Sequence, residues 1–377
     1  MAGIYLHIPF CKRRCLYCDF YSTTEGRLRG AYIRALCREL ADRKDYLHGE
    51  PVETLYFGGG TPSQLLPEDF RKLFDTLYQL YDIDPNAEIT LEANPDDLTE
   101  AYIGQLADLP FNRLSIGIQT FDEGLLQTLN RRHTAAQAVT AFHHCRQAGF
   151  GNISIDLMYG LPDETEEQWQ HDLETATALR PEHISAYHLI YEEGTPLWQL
   201  REAHRVTEAH EELSLAMFTR LMRHLRQNGY EHYEISNFCL PGCHSRHNSS
   251  YWTGQHYLGC GPSAHSYDGN TRRWNVSSLS EYLTSVQQGR PFHETETLDL
   301  PTRYNDFIIT SLRTCWGLSL QQLRSRFGTR LYDYCLKMAA PHIVRGHLTK
   351  KDEDVLVLTE QGIFISDGIM SDLLWVE

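Results

Sequence analysis

Long apolar runs are missing from this sequence. None of its 377 residues lies in an apolar stretch of about 18 residues, the length that a membrane-spanning helix requires. The N-terminal segment MAGIYLHIPF lacks the basic flank and the apolar stretch of a signal peptide. Positive charge is scarce as well, because 34 Lys and Arg face 50 Asp and Glu, giving a formal net charge of −16. Such a chain lacks the general electrostatic footprint of a nucleic-acid-binding protein. We therefore predict a soluble, cytoplasmic protein that has no transmembrane segment and binds no nucleic acid.

Internal repeats and low-complexity segments are also absent. Hydrophobic residues make up an ordinary 41% of the chain, so a sizeable core can form. The length suggests two or three domains. Ten cysteines at irregular spacing, without a signal peptide, indicate a reducing compartment. In that setting, clustered cysteines are more often metal ligands than disulfides.

Short β-rich runs alternate with helical patterns in the first half of the chain. The runs are IYLHI (4–8), TLYF (54–57), EITLEA (88–93), RLSIGIQ (113–119), ISIDLMY (153–159) and HISAYHL (183–189). The helical patterns between them cover 31–40, 68–81, 135–149 and 166–179. This alternation predicts an α/β fold of parallel βαβ units, best fitted by a partial (β/α)6 barrel, with an open doubly wound sheet as the competing shape. In either fold, the chemistry collects at the carboxyl ends of the strands.

Three cysteines follow the first predicted strand directly, in FCKRRCLYCDF (10–20). The spacing Cys11-x3-Cys15-x2-Cys18 puts three thiolates on one short loop, close enough to bind a single metal centre. Zinc usually takes four ligands in two spaced pairs, and a ferredoxin-type cluster takes four cysteines. Three thiolates on a [4Fe–4S] cluster would leave one iron open to another ligand. The alternative is three unrelated loop cysteines. The basic run at 12–14 is predicted to help keep the thiols deprotonated.

The pattern YxHIPFCxxxCxYCDF, here residues 5–20, resembles the signature of the radical S-adenosylmethionine (SAM) family. The resemblance is to the branch that contains oxygen-independent coproporphyrinogen oxidase and the related haem chaperones. It implies a [4Fe–4S] cluster bound by Cys11, Cys15 and Cys18, whose open iron chelates the amino and carboxylate groups of SAM. Reduction of the cluster would then cleave SAM to a 5′-deoxyadenosyl radical.

Polar residues on later strands fit a SAM site. The second strand is followed by FGGGTPS, whose glycines allow backbone N–H groups to approach a ligand closely, although GGG alone equally fits a tight turn. Each polar group also has an ordinary alternative, such as a helix cap for Asp156 or a surface ion pair for Arg131. By resemblance to the oxidase branch, the SAM-contacting positions are Tyr5, Gly59, Gly60, Thr61, Glu92, Gln119, Arg131 and Asp156.

Two departures separate this sequence from the oxidase pattern. Where the oxidase continues its motif with a further cysteine, this chain has Asp19 and Phe20. Its signature also starts within the first five residues, without the N-terminal extension of the oxidase. Both departures match the haem chaperone branch, so we expect a cluster site without the extra cysteine of the oxidase.

A second motif, HNSSYW, matches the HNxxYW motif that is associated with haem handling in the chaperone branch. Imidazole is a good axial ligand for haem iron, and aromatic faces can cover a porphyrin. The candidate haem-binding residues are His247, Asn248, Tyr251 and Trp252. A purely structural role for His247 is the alternative. Three nearby histidines offer the same chemistry: His244, His256 and His265.

Three further cysteines surround this motif, at Cys239, Cys243 and Cys260. With a histidine they would form a second metal site. Because Cys-x3-Cys is a poor zinc spacing and the three lie outside the family pattern, we interpret them as ordinary thiols.

A second domain is predicted to begin near residue 295. The chain then divides into a radical SAM barrel domain at 1–295, which includes the HNxxYW region, and a C-terminal domain at 296–377. The strand–helix alternation is lost earlier, in a long helical stretch at 208–230. After residue 300, two helical patterns precede two short strands, VLVLT and IFIS, that are predicted to flank a turn at Gly362. Helices followed by a hairpin indicate a winged-helix-like fold. Its recognition segment is not basic, which favours a cap or a partner-binding role over DNA binding.

The resemblance implies two functions and leaves open whether the protein is an enzyme. The first is a haem chaperone that holds a [4Fe–4S] cluster, SAM and haem, receives electrons from a donor, and delivers haem to apoproteins such as respiratory enzymes. Slow SAM cleavage is expected as a coupled activity. The second is an oxidative decarboxylase that converts the propionates of coproporphyrinogen III to vinyl groups, which the missing cysteine disfavours. A radical enzyme for another substrate is a third alternative. Peripheral membrane contact and a homodimer are compatible with the sequence.

Overall fold

The computed structural model describes residues 2–352 and 354–376. Six strands and six helices alternate in its first half. The strands are β1 (Ala2–Ile8), β2 (Val52–Gly59), β3 (Ile83–Ala93), β4 (Arg113–Gln119), β5 (Ile153–Tyr159) and β6 (His183–His188). The helices are α1 (Arg29–Asp42), α2 (Pro67–Leu80), α3 (Glu100–Ala107), α4 (Glu123–Thr128), α5 (Ala135–Gln147) and α6 (Glu166–Leu179). All six predicted strands and the four predicted helices are present, and the short helices α3 and α4 were not predicted.

Strands β1 to β6 pair in chain order, and every pair is parallel. A doubly wound sheet would contain a point at which the strand order reverses, and this run has none. The partial (β/α)6 barrel is therefore confirmed, and the doubly wound alternative is wrong. Side chains alternate between the two faces of each strand. On β1, Ile4, Leu6 and Ile8 are completely buried in the core, while Tyr5 and His7 lie on the opposite face, which lines the lumen of the barrel.

The sheet continues beyond the barrel at both edges. The additional elements are α7 (Pro196–Glu202), α8 (Glu211–Gln227), β7 (Glu231–Glu234), β8 (Asn237–Cys239), α9 (Arg246–Thr253), β9 (His256–Cys260), β10 (His265–Tyr267), β11 (Thr271–Asn275), α10 (Leu279–Gln288) and β12 (His293–Thr297). Strands β9 to β12 extend the sheet from β1, and β8 and β7 extend it from β6. These six strands were not predicted, because they are three to five residues long and carry mostly polar residues.

Helix α9, which contains the HNSSYW motif, closes the amino-terminal end of the barrel. The Glu88 carboxylate on β3 accepts the backbone N–H groups of Arg246 (3.0 Å) and His247 (2.9 Å) in the first turn of the helix. A carboxylate at a helix N-terminus satisfies N–H groups that have no partner within the helix and complements the helix dipole. Ser245 caps the same end by accepting the N–H of Asn248. The motif is thereby fixed against the barrel wall.

A buried carboxylate on α1 joins the barrel to the β9–β11 extension. Glu39 is completely buried. Its oxygens accept hydrogen bonds from the Tyr282 hydroxyl (2.7 Å), the Gly261 N–H (2.8 Å) and the Asn275 amide (2.8 Å). Arg43, one turn further along α1, pairs with it at 3.2 Å. Removing one partner of a buried, hydrogen-bonded ion pair leaves the other groups without compensation.

We therefore expect Glu39→Ala to lower the free energy of unfolding by about 3 kcal/mol, measured by urea denaturation. Glu25→Ala is the matched control, because the Glu25 side chain is 53% exposed and forms only a surface ion pair with Arg27. Its expected effect is below about 0.5 kcal/mol. Equal effects of the two substitutions would contradict the structural role of the Glu39 network.

The C-terminal segment forms a separate group of helices around a small sheet. Its elements are α11 (Leu300–Leu312), β13 (Leu318–Ser319), α12 (Leu320–Val344), β14 (Leu348–Lys351), β15 (Val355–Leu358), α13 (Glu360–Phe364) and α14 (Ser366–Leu373). The φ of Gly328 is 79°, which divides α12 into two helices. These helices and the sheet β13-β15-β14 give the helical, winged-helix-like arrangement that was predicted.

The predicted position of the hairpin is wrong. Strand β15 contains VLVL, but it pairs with the preceding β14, whereas IFIS lies at the end of α13 and the start of α14. Thr359 caps α13 by accepting the N–H of Gly362, so Gly362 is helical and does not form a turn. Within residues 2–352 and 354–376, none of the helices combines the length and the apolar character that crossing a membrane requires.

Candidate functional site

The three motif cysteines lie on the loop between β1 and α1, at the carboxyl end of the barrel strands. Backbone hydrogen bonds fold this loop back on itself, from Cys11 N to Thr23 O (2.9 Å) and from Thr23 N to Pro9 O (2.7 Å). All three thiols are half-buried. Phe20, at the position where the oxidase pattern has its extra cysteine, is 64% exposed.

The three motif thiols share one short loop and are half-buried. In the described parts of the chain, their sulfur atoms do not all lie within 4.8 Å of one another. A [4Fe–4S] cluster takes each thiolate at a separate iron atom, so it does not require the three sulfur atoms to meet at one ion. This donor set therefore fits such a cluster.

Two side chains from other loops reach the sulfur atoms. The Thr61 hydroxyl donates to Cys11 Sγ at 3.2 Å, and the Arg131 guanidinium donates to Cys15 Sγ at 3.3 Å. Arg131 also donates to Asn94 Oδ1 (2.8 Å) and to the carbonyl of Gly117. This places two of the SAM candidates, Thr61 and Arg131, beside the cluster loop.

The basic run at 12–14 does not have the role that the sequence predicted. Lys12 pairs with Asp97 at 2.6 Å, and Arg13 donates to Asn130 at 3.2 Å. Burial raises the pKa of the Cys11 thiol, and it raises the pKa of Cys18 to about 11. The basic residue that opposes this rise at Cys11 is Arg132, and Arg131 donates to Cys15 Sγ.

The glycine turn after β2 packs tightly against the end of β1. Gly59 has a φ of 106°, and a Cβ at this position would lie 2.7 Å from the His7 ring. A Cβ on Gly60 would lie 2.9 Å from the carbonyl oxygen of Ile8, to which the Gly60 N–H donates at 2.9 Å. Since the Gly59 N–H donates to Glu92 at 3.1 Å, both N–H groups have partners within the protein. The glycines are thus required for close packing at the site.

Two carboxylates from the SAM set lie on the lumen face of the barrel. Glu92 accepts a hydrogen bond from the Tyr56 hydroxyl at 2.7 Å, and Asp156 accepts one from Ser115 at 3.1 Å. Burial raises the pKa of Glu92 to about 7 and that of Asp156 to about 6, and these hydrogen bonds partly oppose the shifts. Both groups are therefore close to their titration midpoints near neutral pH.

The other SAM candidates line the same lumen. The Tyr5 hydroxyl and His7 Nδ1 share a hydrogen bond of 3.1 Å. Gln119 adopts a φ of 75° at the end of β4, and its amide lies near Gly117, next to the Arg131 guanidinium. The eight SAM candidates are thus distributed between the cluster loop and the interior of the barrel.

Sequence reasoning missed two polar residues of this region. Asn94 joins Thr61 to Arg131, donating to the Thr61 hydroxyl at 3.3 Å. Arg113 is 1% exposed, and its positive charge opposes the upward pKa shifts of both Glu92 and Asp156. The sequence contained a sign of Arg113, because in the predicted strand RLSIGIQ it lies on the same face as Ser115 and Gln119.

The residues of the HNSSYW motif lie in two places, one inside the lumen of the barrel and the others beside the barrel. His247 is 1% exposed and lies inside the lumen, with its ring stacked on Tyr56 at 4.9 Å. Its Nδ1 shares a hydrogen bond of 2.8 Å with the Thr54 hydroxyl, and its Nε2 shares one of 2.9 Å with the Tyr251 hydroxyl. Burial lowers the pKa of His247 to about 3. Both ring nitrogens thus have partners within the protein, which favours the structural role of this histidine.

The three alternative histidines lie elsewhere. His244 faces Glu231 at the β7 edge, and His256 pairs with Glu50 at 2.7 Å. His265 is exposed, with its ring stacked against Trp274.

A cavity of about 840 Å³ lies beside α9, between β6, α8 and the start of α14. Asn248, Tyr251 and Trp252 of the motif form part of its wall. Much of the remaining wall is apolar: Tyr187, Ile190, Leu215 and Ile365 are solvent-exposed, and Phe218 is buried. His188 also lines this cavity, and its Nε2 shares a hydrogen bond of 2.8 Å with Ser214. Burial lowers the pKa of His188, so its imidazole is neutral at pH 7.

A smaller cavity of about 510 Å³ also borders Tyr251 and Trp252. Three arginines line it, at Arg272, Arg303 and Arg326. Arg272 pairs with Asp306 at 2.6 Å, and Arg326 lies over the Phe307 ring. The motif helix therefore borders both a larger, mainly apolar cavity and a smaller basic one.

Comparisons with known proteins agree with this geometry. Residues 5–176 match the model of the radical SAM superfamily, and residues 298–365 match the model of the HemN C-terminal domain. A curated relative, the heme chaperone HemW of Bacillus subtilis, is 32% identical over 379 residues, covering 99% of each chain.

The chain belongs to the HemW family of radical SAM proteins.

Another HemW relative, from Synechocystis, is 36% identical over 335 residues, which cover 86% of this chain and 81% of the relative. Among solved structures, coproporphyrinogen III oxidase (HemN) from Escherichia coli superimposes with a TM-score of 0.86 at 25% identity. The match covers 99% of this chain and 89% of the oxidase. The HemW family member described here thus shares almost its whole fold with a known radical SAM enzyme.

Proposed function

We propose that this protein is a haem chaperone that holds haem in the 840 Å³ cavity beside the HNSSYW helix and delivers it to apo-haemoproteins of respiration. The observation that carries the proposal is the composition of this cavity. It combines three residues of the motif, an apolar wall and the neutral imidazole of His188. Haem needs apolar contacts for its ring and an axial ligand for its iron, and these groups supply both. Membership of the HemW family supports the assignment.

The three motif thiols and the polar groups in the lumen support a proposal for the cluster and SAM sites. We propose that Cys11, Cys15 and Cys18 hold a [4Fe–4S] cluster, and that the eight SAM candidates hold SAM next to it. When bound, this pair supplies one-electron chemistry on SAM. The residues of the chain have other roles: Arg131 and Thr61 donate to the sulfur atoms, and Glu92 accepts hydrogen bonds or holds a proton at its carboxylate.

The Glu92 carboxylate predicts a pH dependence of SAM binding. Its pKa is raised to about 7, mainly by burial, and a cationic ligand with hydroxyl groups favours the ionised form. The affinity of the cluster-loaded protein for SAM should therefore rise roughly tenfold from pH 6 to pH 8, as Glu92 loses its proton. Equilibrium binding of SAM at several pH values measures this. Glu92→Gln should remove most of the pH dependence, leaving at most the roughly twofold change that ionisation of Asp156, with a pKa of about 6, would contribute. A tenfold rise retained by the variant would assign the pH dependence to another group.

A positioning role for His247 follows from its hydrogen bonds. We propose that His247 holds α9 against the barrel from inside the lumen, so that Asn248 and Trp252 face the haem cavity. The Thr54 hydroxyl and the Tyr251 hydroxyl occupy its two ring nitrogens. His188 is then the axial ligand, because it lines the cavity and its Nε2 shares a hydrogen bond with the Ser214 hydroxyl that a stronger interaction can replace.

Transfer of haem tests the chaperone function directly. Cluster-loaded protein carrying haem would be mixed with an apo-haemoprotein of respiration, and the Soret band would be followed as the acceptor is reconstituted. We expect the acceptor to gain haem and activity, and protein without haem serves as the control. An acceptor that stays empty while the donor retains its haem would overturn the delivery function.

The second candidate function is oxidative decarboxylation of coproporphyrinogen III. The 25% identical oxidase structure supports it, because the two proteins share a fold. Asp19 and Phe20, in place of the oxidase's further cysteine, argue against it. Expression in a strain that lacks the oxidase separates the two functions, and we expect no restoration of porphyrin production. Complementation would establish the decarboxylase activity.

The remaining proposals concern the location of the protein, its electron donor and its domain organisation. We propose a cytoplasmic protein that takes electrons for its cluster from a separate donor and uses the C-terminal domain as a cap or partner-binding surface. A domain boundary near residue 295 is supported by two separate hydrophobic cores, of which the second extends from Tyr304 to Leu373. Strand β12 pairs with β11 of the large sheet, so the boundary fits best just after this strand. Homodimerisation and peripheral membrane contact stay predictions from the resemblance.

A further inference from the structure

The free edge of the large sheet carries a group of side chains that the haem and SAM sites do not use. This edge is the β7–β8 hairpin. In its antiparallel register, Glu231 on β7 lies directly opposite Cys239 on β8. Residues that are directly opposite in such a pair have Cβ atoms about 4.5–5.5 Å apart on the same face of the sheet. The pairing therefore brings a carboxylate close to a thiol.

A tight turn after β8 brings a histidine to the same place. The turn is closed by a hydrogen bond of 2.9 Å from Cys243 N to Leu240 O. Pro241 and Gly242 occupy its two central positions, and Gly242 has a φ of 78°. Proline followed by a residue with positive φ is the pattern of a type II turn. The turn reverses the chain, so that His244 lies beside the end of β8.

The three side chains converge on one point. One ligand atom from each of Glu231, Cys239 and His244 lies within 4.8 Å of the other two. His244 Nε2 and Glu231 Oε2 are 3.6 Å apart, which is longer than a hydrogen bond. The imidazole is held in place by ring contacts with Tyr233 at 4.8 Å and with Trp316 at 5.7 Å. Cys239 is completely buried, whereas the Glu231 side chain is 52% exposed, so the point is reached from solvent on the carboxylate side.

We propose that Glu231, Cys239 and His244 bind a zinc ion. Thiolate, imidazole and carboxylate are the three side-chain ligands that zinc takes in proteins, at bond lengths of about 2.0–2.3 Å. Tetrahedral geometry then requires ligand atoms about 3.3–3.8 Å apart, which small side-chain rotations from the present positions achieve. The fourth position faces solvent. This site uses Cys239, which the sequence suggested to be an ordinary thiol. It does not use Cys260, because six strands of the sheet separate β8 from β9.

The site has a direct structural connection to the HNSSYW helix. His244 immediately precedes Ser245, the N-cap of α9. A metal ion bound to His244 restrains the residue just before the N-cap of the motif helix. Because Cys239 is another ligand, the ion also links this residue to the edge of the sheet. Zinc binding should therefore stabilise the β7–β8 edge together with the start of α9.

Zinc binding to the full-length chain tests the proposal. The protein would carry Cys11→Ser, Cys15→Ser and Cys18→Ser, so that the cluster loop takes up no metal. Zinc would be measured by competition with a chromophoric chelator, and cobalt would be added separately to detect a thiolate charge-transfer band. We expect about one zinc per chain, a cobalt–thiolate band and a zinc-dependent rise in Tm. His244→Ala and Glu231→Gln should each weaken zinc binding at least about tenfold.

His256→Ala is the matched control. It removes the histidine of another His–Glu pair, at 2.7 Å from Glu50, which does not belong to a three-ligand group in the described chain. We expect it to leave zinc affinity unchanged. The variants at His244 and Glu231 avoid the buried thiol, and their Tm without metal shows whether they fold. Absence of zinc binding by the parent, or equal binding by parent and His244→Ala, would overturn the proposal.

Discussion

Replacing Cys15 by serine should abolish cluster binding, so that the reconstituted protein loses nearly all of its iron and sulfide. The parent should hold about four iron atoms per chain, as a [4Fe–4S] cluster requires. The three half-buried thiols lie on one folded loop, and no other described cysteine shares this loop. A serine hydroxyl is a poor replacement for a thiolate on iron. With only two cysteines left, the cluster has too few anchors to persist.

Cys37→Ser is the matched control for this experiment. Cys37 is half-buried, like Cys15, but lies on helix α1 away from the loop. Iron and sulfide content and the visible absorption spectrum after anaerobic reconstitution measure the outcome. We expect Cys37→Ser to behave like the parent. If Cys15→Ser retains a full cluster, the assignment of this loop as the cluster site is wrong.

Replacing His188 by alanine should weaken haem binding at least about tenfold, which corresponds to about 1.4 kcal/mol. The parent protein should bind about one haem per chain, with a saturable shift of the Soret band. His188 lines the large cavity beside the motif helix, and burial keeps its imidazole neutral. A neutral imidazole is the form that coordinates iron. Loss of the ligand should also change the position of the Soret band, which loss of packing alone would not.

His247→Ala and His265→Ala complete the comparison. His265 is exposed and stacks on Trp274, so its replacement should leave haem binding unchanged. His247→Ala should lower Tm, because it leaves the hydroxyls of Thr54 and Tyr251 without their partner. The position of the Soret band, which depends on the axial ligand, should be the same in His247→Ala as in the parent. If His247→Ala shifts this band and His188→Ala does not, then His247 is the axial ligand and the positioning role is wrong.

The cluster loop was the part of the site that could be predicted best from sequence. Cys11, Cys15 and Cys18 lie within eight residues, so their proximity is a local property that needs no knowledge of the fold. The strand positions were predictable for a related reason. β1 and β4 are short, β-rich runs whose residues are nearly all buried, as in strands of a parallel sheet, and this pattern is also local.

The role of His247 could not be predicted in the same way. In the sequence, it is a histidine followed by an asparagine, a tyrosine and a tryptophan, which equally fits a ligand or a structural residue. Its partners are the hydroxyl of Thr54, 193 residues away, and the ring of Tyr56. Only the folding of α9 onto the end of the barrel brings them together. The hairpin error near Gly362 has a different cause. Strands β14 and β15 are neighbours in the chain, and the apolar run IFIS lies in a helical segment whose start Thr359 caps.

The sequence by itself determined the alternation of strands and helices, the proximity of the three motif cysteines and the family signature, because each depends on residues close together in the chain. Tertiary structure alone decided which groups surround each functional side chain. It turned Lys12 towards Asp97, placed Arg131 on Cys15, and moved the haem proposal from His247 to His188. It also brought Cys239 opposite Glu231. These contacts join distant segments, and their formation depends on burial and strand register, which no short stretch of sequence contains.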